Sequence, residues 1–423
     1  MKKYSSYKLS GIEWLEEIPV HWFVTKIKYL SDGSRNSFID GDWIESKDLS
    51  DNGIRYITSG NIGMGVYKEQ GNGYISEDTF IKLNCTELFE GDLIISRLFI
   101  PVGRSCILPN VNNRVITCVD NVILRPKSTY NKQYLNYQFN SNRYSEYTEL
   151  ISRGVTLTRI SRGMLGNIQI VIPPIQEQLQ IVQFLDEKTE IIDKLISTKE
   201  RKIDLLKQQR SSLINEVVTK GLDPIVKMKD SGVEWIGEIP EHWEVIKIKY
   251  LGQINSGDTI SSNLIESEGE FPVYGGNGIM GYYKDFNFSH RVLSIGRVGE
   301  KCGNVHLVHE KCWINDNSLV LDKKNENVNM NYLFHSLKTR DLNIIRNQNT
   351  QPLITGTMVK NESIPFPPLS EQQQIIEHLD IRTKEIDDLV SLEQRKIDVL
   401  KQYRQSLISE VVTGKIDVRT QLN

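Results

Sequence analysis

Apolar residues recur at alternating three- and four-residue steps from Val182 through Leu185, Thr189, Ile192, Ile196, Lys199, Ile203, Leu206, Arg210 and Leu213 to Val217, and eight of these eleven positions are apolar. That spacing is the seam of a long amphipathic helix. A second series runs Ile376, Leu379, Thr383, Ile386, Val390, Glu393, Ile397, Leu400, Arg404, Leu407 and Val411, with its polar interruptions at the same three places. Pro173-Pro174 and Pro367-Pro368 stop each helix upstream, and Gly221 and Gly414 stand where C-terminal caps belong. At about 1.5 Å per residue, roughly 46 helical residues make a rod on the order of 70 Å long. Helices of that length are far outside the ordinary globular range.

The two series belong to a longer repeat. Pro174 to Asp223 matches Pro368 to Asp417 at 28 of 50 positions, including Arg201-Lys202-Ile203-Asp204 against Arg395-Lys396-Ile397-Asp398 and Glu216-Val217-Val218-Thr219 against Glu410-Val411-Val412-Thr413. A lead segment, Gly11-Ile12-Glu13-Trp14-Leu15-Glu16-Glu17-Ile18-Pro19-Val20-His21-Trp22, returns as Gly232-Val233-Glu234-Trp235-Ile236-Gly237-Glu238-Ile239-Pro240-Glu241-His242-Trp243. Its tryptophans and prolines read as a packing staple and its histidines as structural. The chain is therefore two copies of one plan: lead segment, divergent body, long helix. The repeats are offset by 194 and 221 residues, which makes the first body 27 residues longer than the second. Because the second helix has its matching lead segment at the N-terminus, the two termini are expected to lie close together.

The polar interruptions carry directional information. Paired antiparallel about the seam centre, Lys199 faces Glu393, Thr189 faces Arg404 and Arg210 faces Thr383. A parallel pairing sets Arg210 against Arg404, a like-charge contact that costs free energy. The bodies read as mixed α and β, with short strand-like runs at Leu93-Ile94-Ile95, Val115-Ile116 and Val122-Ile123-Leu124 between Gly- and Asn-rich turns. One helix is expected in each, over Tyr134–Leu150 and Met330–Ile345. Gly276-Asn277-Gly278-Ile279-Met280-Gly281 matches a dinucleotide-loop pattern, but no amphipathic helix follows it, so it reads as a turn.

Composition narrows the function classes. A 423-residue chain with 39% hydrophobic and 25% charged residues fits two or three globular domains. No apolar run is long enough to span a bilayer, and Met1-Lys2-Lys3-Tyr4 does not begin a signal peptide; a cytoplasmic location is the expectation. Cys85, Cys106, Cys118, Cys302 and Cys312 form no C-x-x-C pair and read as buried thiols, without a disulfide framework or a metal site. There is no P-loop, no H-E-x-x-H, no G-x-S-x-G and no N/D-P-P-aromatic motif, so no catalytic set is assembled. The net charge of −3 is not that of a typical nucleic-acid binder. Any DNA affinity must come from charge concentrated on one face or from partner subunits.

Two divergent heads on a stiff rod can read two unlike DNA segments at a set gap, since equivalent grooves recur about every 34 Å. The order of lead segment, variable body, P-P-I-Q-E-Q helix, lead segment, variable body and P-P-L-S-E-Q helix resembles the specificity subunit of type I restriction-modification enzymes, over essentially the whole chain. The resemblance implies an α+β fold: two similar mixed α/β target-recognition domains separated by a long antiparallel two-helix coiled coil with a pseudo-twofold internal repeat. It sets boundaries at 1–173 (lead segment 8–30), 174–221, 222–367 (lead segment 229–251), 368–415 and a tail over 416–423. It further implies double-stranded DNA, two adenine methyltransferase subunits and motor-nuclease subunits as partners, with S-adenosylmethionine, ATP and Mg²⁺ held by those partners, none by this chain, and no catalysis here. Base-contacting residues vary within the family and do not carry over by motif. From the residues alone the DNA-contact candidates are Arg97 and Arg297 at equivalent strand ends, Arg104 and Lys301 in the adjoining loops, and Arg159, Arg162, Gln348 and Gln351 just ahead of each rod. The competing reading is a coiled-coil adaptor that bridges two proteins without touching bases.

Overall fold

A computed structural model of the chain describes residues 2–154, 158–308, 311–347 and 352–419. It contains eight α-helices among these residues: α1 (Glu77–Leu83), α2 (Lys132–Phe139), α3 (Asn142–Ile151), α4 (Arg162–Asn167), α5 (Ile175–Lys220), α6 (Met330–Arg340), α7 (Gly356–Asn361) and α8 (Leu369–Val412). Two compact units divide within the long helices. One comprises residues 1–199 with 396–423, the other 200–395.

In the first unit a four-stranded sheet takes the order Phe38–Asp40, Asn121–Leu124, Leu93–Ser96, Ser105–Ile107, all antiparallel. Its two central strands are fully buried, which is why they read as continuous apolar runs rather than alternating ones. A second sheet runs Val115–Thr117, Ile54–Ile57, Tyr74–Ile75, Leu49–Ser50, with a parallel pair between the first two strands. The second unit repeats the first sheet with Gly252–Ser256, Ser318–Lys323, Val292–Gly296 and Val305–Val308. Its other sheet is reduced to three strands, Gly278–Tyr283, Phe271–Gly275 and Trp313–Ile314. Of the dinucleotide-loop match, Gly276 and Asn277 form the tight turn between the first two of these, and Gly278 to Gly281 begin the strand that follows it.

Where a single helix was expected in each body, both segments break. Asn140 ends α2 because its Nδ2 turns back to the Asn136 carbonyl at 2.7 Å and to the Ser105 carbonyl at 3.1 Å, and α3 restarts after Ser141. In the second unit Asp341 adopts a left-handed conformation with φ 48° and α6 gives way to a short 3-10 turn over Leu342–Ile345. These polar side chains compete with the helix for backbone groups, which hydrophobic periodicity does not register.

The ends of both long helices behave as the sequence requires. Gly221 and Gly414 each take φ 76°. A Cβ at Gly414 would lie 2.4 Å from the Pro19 ring, and one at Gly221 3.0 Å from the Trp243 ring, so conformation and close approach both demand glycine. Beyond α8 the Asp417 N–H bonds the Lys2 carbonyl at 2.9 Å, and the Arg419 guanidinium sits 4.9 Å from the Tyr4 ring centroid. The C-terminal segment thus packs on the N-terminal one, as the repeat order anticipates.

One half-buried histidine is expected to make the second unit acid-sensitive. His335, on α6, has its pKa pushed down to about 4, chiefly by burial, with Lys338 and Arg210 adding to the effect. Its Nδ1 makes no hydrogen bond. The unfolded chain, with a histidine pKa near 6.5, therefore binds the proton first, and stability is full above pH 6.5 and falls as the pH drops toward 4. The loss should be on the order of 2 kcal/mol. Urea melts of His335→Phe at pH 7 and pH 4.5 should show this part of the pH dependence gone; an unchanged difference between the two pH values would refute the assignment.

Candidate nucleic-acid interface

The matching Glu-Gln pairs at the starts of α5 and α8 join each body to its rod. Glu177 is buried and accepts from Tyr4 Oη at 2.6 Å and Trp22 Nε1 at 3.1 Å, and its other carboxylate oxygen meets His21 Nε2 at 2.7 Å. Gln178 accepts from the Asn131 N–H at 2.8 Å and donates to the Pro173 carbonyl at 2.9 Å. In the second unit Glu371 takes Trp243 Nε1 at 2.9 Å and His242 Nε2 at 2.8 Å. Gln372 accepts from the Asn329 N–H at 2.8 Å and donates to the Pro367 carbonyl at 2.8 Å. Tyr134 and Tyr332 add a matching pair, donating to the Val171 and Pro365 carbonyls, each at 3.1 Å. None of these residues was among the sequence candidates. The signal was the identity of Glu177-Gln178 and Glu371-Gln372 within otherwise variable positions just after each proline pair.

Within each unit the helical segments run antiparallel, and the two seam arginines take partners about one turn from the expected ones. Arg404 Nε donates to Asp193 Oδ1 at 2.9 Å instead of meeting Thr189. Arg210 Nε donates to Asp387 Oδ1 at 3.0 Å instead of meeting Thr383. Both threonines give their hydroxyls to the carbonyl four residues back, Leu185 and Leu379, at 2.7 Å. A carboxylate in reach of a guanidinium outcompetes a hydroxyl already engaged by its own helix. Lys199 belongs to one unit and Glu393 to the other; within its own unit Glu393 is buried and takes Lys202 Nζ at 2.9 Å.

The DNA-contact candidates divide sharply. Arg104, only 8% exposed, is spent inside the protein: Nε donates to the Ile62 carbonyl at 2.7 Å, Nη2 to Ser59 at 2.8 Å, and Nη1 to the carbonyls of Leu98, Phe99 and Pro101 at 2.9–3.0 Å. Arg97, 5% exposed, donates to the Ile160 and Val119 carbonyls and lies 3.1 Å from the Asp40 carboxylate. Burial lowers the pKa of both guanidiniums. These two arginines organise the loop and do not face a ligand, a correction to their reading as base contacts. An arginine at a strand end next to a glycine loop looks the same in sequence whether it points out or folds back onto carbonyls.

Arg159 and Arg162 are exposed beside this loop, bridged to Asp120 at 2.8 Å and to Asp40 at 3.4 Å. In the second unit Arg297 donates to a neutral group, Ser256 Oγ at 3.2 Å, and Lys301 is exposed. Gln348 and Gln351 lie outside the described residues. Among the described residues no group of three or more His, Cys, Asp or Glu side chains is placed to hold a metal ion, and no helix is long and apolar enough to cross a membrane.

The loop that Arg104 gathers has one conformational outlier. Phe99 is left-handed, with φ 62°. A non-glycine residue there costs on the order of 1–2 kcal/mol. Gly299 occupies the equivalent place in the second unit with φ 86°.

The family model described as the type I restriction modification DNA specificity domain matches residues 22–207 and 240–402. The chain belongs to that family. It is 24% identical over 425 residues to the putative type I restriction enzyme MjaX specificity subunit of Methanocaldococcus jannaschii, covering 96% of both chains. Over 141 residues it is 31% identical to the type I restriction enzyme EcoprrI specificity subunit of Escherichia coli, covering 32% of this chain and 35% of that one. Among solved structures, a chain from a study of complex assembly and conformational transition of the type I R-M system shares its fold at a TM-score of 0.69 and 16% identity, over 94% of this chain and 99% of that one. The HsdS subunit of Thermoanaerobacter tengcongensis aligns at a TM-score of 0.51 and 15% identity, over 94% and 98% of the two chains.

Proposed function

We propose that this protein is the sequence-recognition subunit of a type I restriction-modification complex. Each unit reads one half of an asymmetric bipartite DNA target, and α5 and α8 act as an antiparallel coiled-coil spacer that sets the gap. The observation that carries this reading is the contrast between the two kinds of surface. The anchoring contacts of Glu177-Gln178 and Glu371-Gln372 to Trp, His, Asn and Pro repeat between the units, Tyr4 alone lacking a counterpart, while the loop tips carry Phe99-Ile100 in one and Gly299-Glu300 in the other and the second sheet has four strands in one and three in the other. A duplicated frame with unlike tips is what two different half-sites at a fixed spacing require.

Two adenine methyltransferase subunits would dock along the spacer, where Ile191, Leu195, Ile381 and Val399 expose apolar side chains. In this reading those subunits supply S-adenosylmethionine, motor-nuclease subunits supply ATP and Mg²⁺, and this chain performs no chemistry. Phosphate contacts shared with the partners account for recognition by a chain of net charge −3.

The test is selection of bound duplexes from a random-sequence pool by the chain with and without its methyltransferase subunits. Two short defined segments separated by a constant undefined gap are expected. Recovery of no consensus by the full complex would leave the adaptor reading standing. Arg297 is the second unit's best-placed candidate for a base contact, because a neutral partner leaves its charge available. Arg297→Ala should weaken binding of the selected duplex by about 1–3 kcal/mol and relax one position of one segment. A uniform small loss with a shallower salt dependence would mark it as a phosphate contact instead.

A further inference from the structure

The hairpin loops at residues 97–103 and 297–303 are equivalent, closed by the same backbone bonds: Gly103 N–H to Ser96 at 2.8 Å in one, Gly303 N–H to Gly296 at 2.7 Å in the other. At the place where the chain turns left-handed, the second unit has Gly299, and a Cβ there would meet no atom within 4 Å. The position points into open space and needs no side chain. The first unit puts phenylalanine there, in a conformation that disfavours it, with 47% of its surface exposed, and follows it with Ile100 at 61%. Neither core packing nor backbone preference accounts for two large apolar residues at this tip. Strain that persists without a structural return marks a functional position.

The loop is held from inside by Arg104, whose Nη1 takes the carbonyls of Leu98, Phe99 and Pro101. Its flank is the segment carrying Arg159: Leu98 and Arg159 are bridged, the Phe99 N–H bonds the Thr158 carbonyl at 3.0 Å, and the backbones of Arg153 and Arg159 pair with each other. The guanidiniums that reach the surface here are those of Arg159 and Arg162, bridged to Asp120 and Asp40, with Arg153 exposed on the adjoining segment and Arg97 buried beneath them, so the apolar tip rises from a positive collar. A rigid apolar point ringed by positive charge fits a polyanion whose interior is apolar and flat.

We propose that Phe99 and Ile100 form a preset apolar tip with which the first unit touches the bases of its DNA half-site, while the collar meets the phosphates on either side. The inference rests on the recognition reading above. It also explains the asymmetry between the units: the equivalent loop, with Gly299 and Glu300, has no such tip and must read its half-site by polar groups.

The test uses the chain assembled with its methyltransferase subunits and the duplexes that the wild-type complex selects from the random pool. Phe99→Gly should melt at the same temperature as wild type or higher, because the strain is relieved. Its affinity for the selected duplex should fall roughly tenfold or more, the loss typical of one aromatic contact with a base. The slope of log affinity against log salt should not change, since no phosphate contact is removed. Ile100→Ser, which leaves Phe99 in place, should lose several-fold with the same signature. Wild-type affinity in both variants, or a loss accompanied by a shallower salt slope or a lowered melting temperature, overturns the inference. A wild-type complex that selects no sequence overturns the recognition reading itself, a result distinct from a selective wild type matched by Phe99→Gly.

Discussion

Glu177→Ala is expected to remove about 3–5 kcal/mol from the stability of the first unit, the largest effect of any single substitution at the helix starts. Its carboxylate is the shared acceptor for Tyr4, Trp22 and His21, and the Trp22 ring is fully buried. Truncation strands the Trp22 N–H and the Tyr4 hydroxyl without partners or ready access to water. It also releases the N-terminal segment on which the residues following α8 pack. The equivalent change at Glu371 should cost less, about 1–2 kcal/mol, because its side chain is 34% exposed and His242 is 47% exposed, so water replaces much of what is lost. Urea denaturation followed by tryptophan fluorescence measures both. Equal losses at the two sites, or a Glu177→Ala loss below about 1 kcal/mol, would contradict the burial argument.

Arg104→Ala should cost about 3–4 kcal/mol and, separately, abolish the preset shape of the Leu98–Pro101 loop. Five backbone carbonyls from two distant segments converge on this one guanidinium. No other side-chain type presents five donors in that geometry, so Arg104→Lys should recover only a part of the loss. Hydrogen exchange at the amides of residues 98–104 should accelerate well beyond that of the neighbouring Leu93–Ser96 strand. If exchange there is unchanged while stability falls, Arg104 serves the core alone and not the loop. Arg97→Ala is expected to behave as a stability variant too, since its guanidinium is engaged by Ile160, Val119 and Asp40.

The long helices were legible because their signal is local and repeated: a three-four seam, proline pairs before it and a glycine after it. Direction was legible as well, since a parallel seam would confront Arg210 with Arg404. The partner of each seam arginine was not. It is decided by which acid comes within reach of each arginine, and Asp193 and Asp387 lie off the seam that the apolar pattern marks. The break between α2 and α3 escaped for a related reason. Asn140 ends its helix by bonding Ser105, a residue 35 positions away that no window of periodicity contains.

The candidate interface shows the same division at higher resolution. The sequence singled out this loop through Arg97 and Arg104, whose guanidiniums the structure places inside the protein. Those two arginines turn inward, and the residues that face outward are Phe99 and Ile100, which hydrophobicity alone would assign to a core.

By itself the sequence determined the duplication, the α+β class, the two long helices with their ends, and the family. Each is written in short-range spacing or in the identity of two stretches of one chain. The tertiary structure alone decided which charges are spent inside and which remain available outside. That depends on carbonyls and carboxylates brought together from segments tens of residues apart, and on whether a side chain at a left-handed turn has anything to pack against.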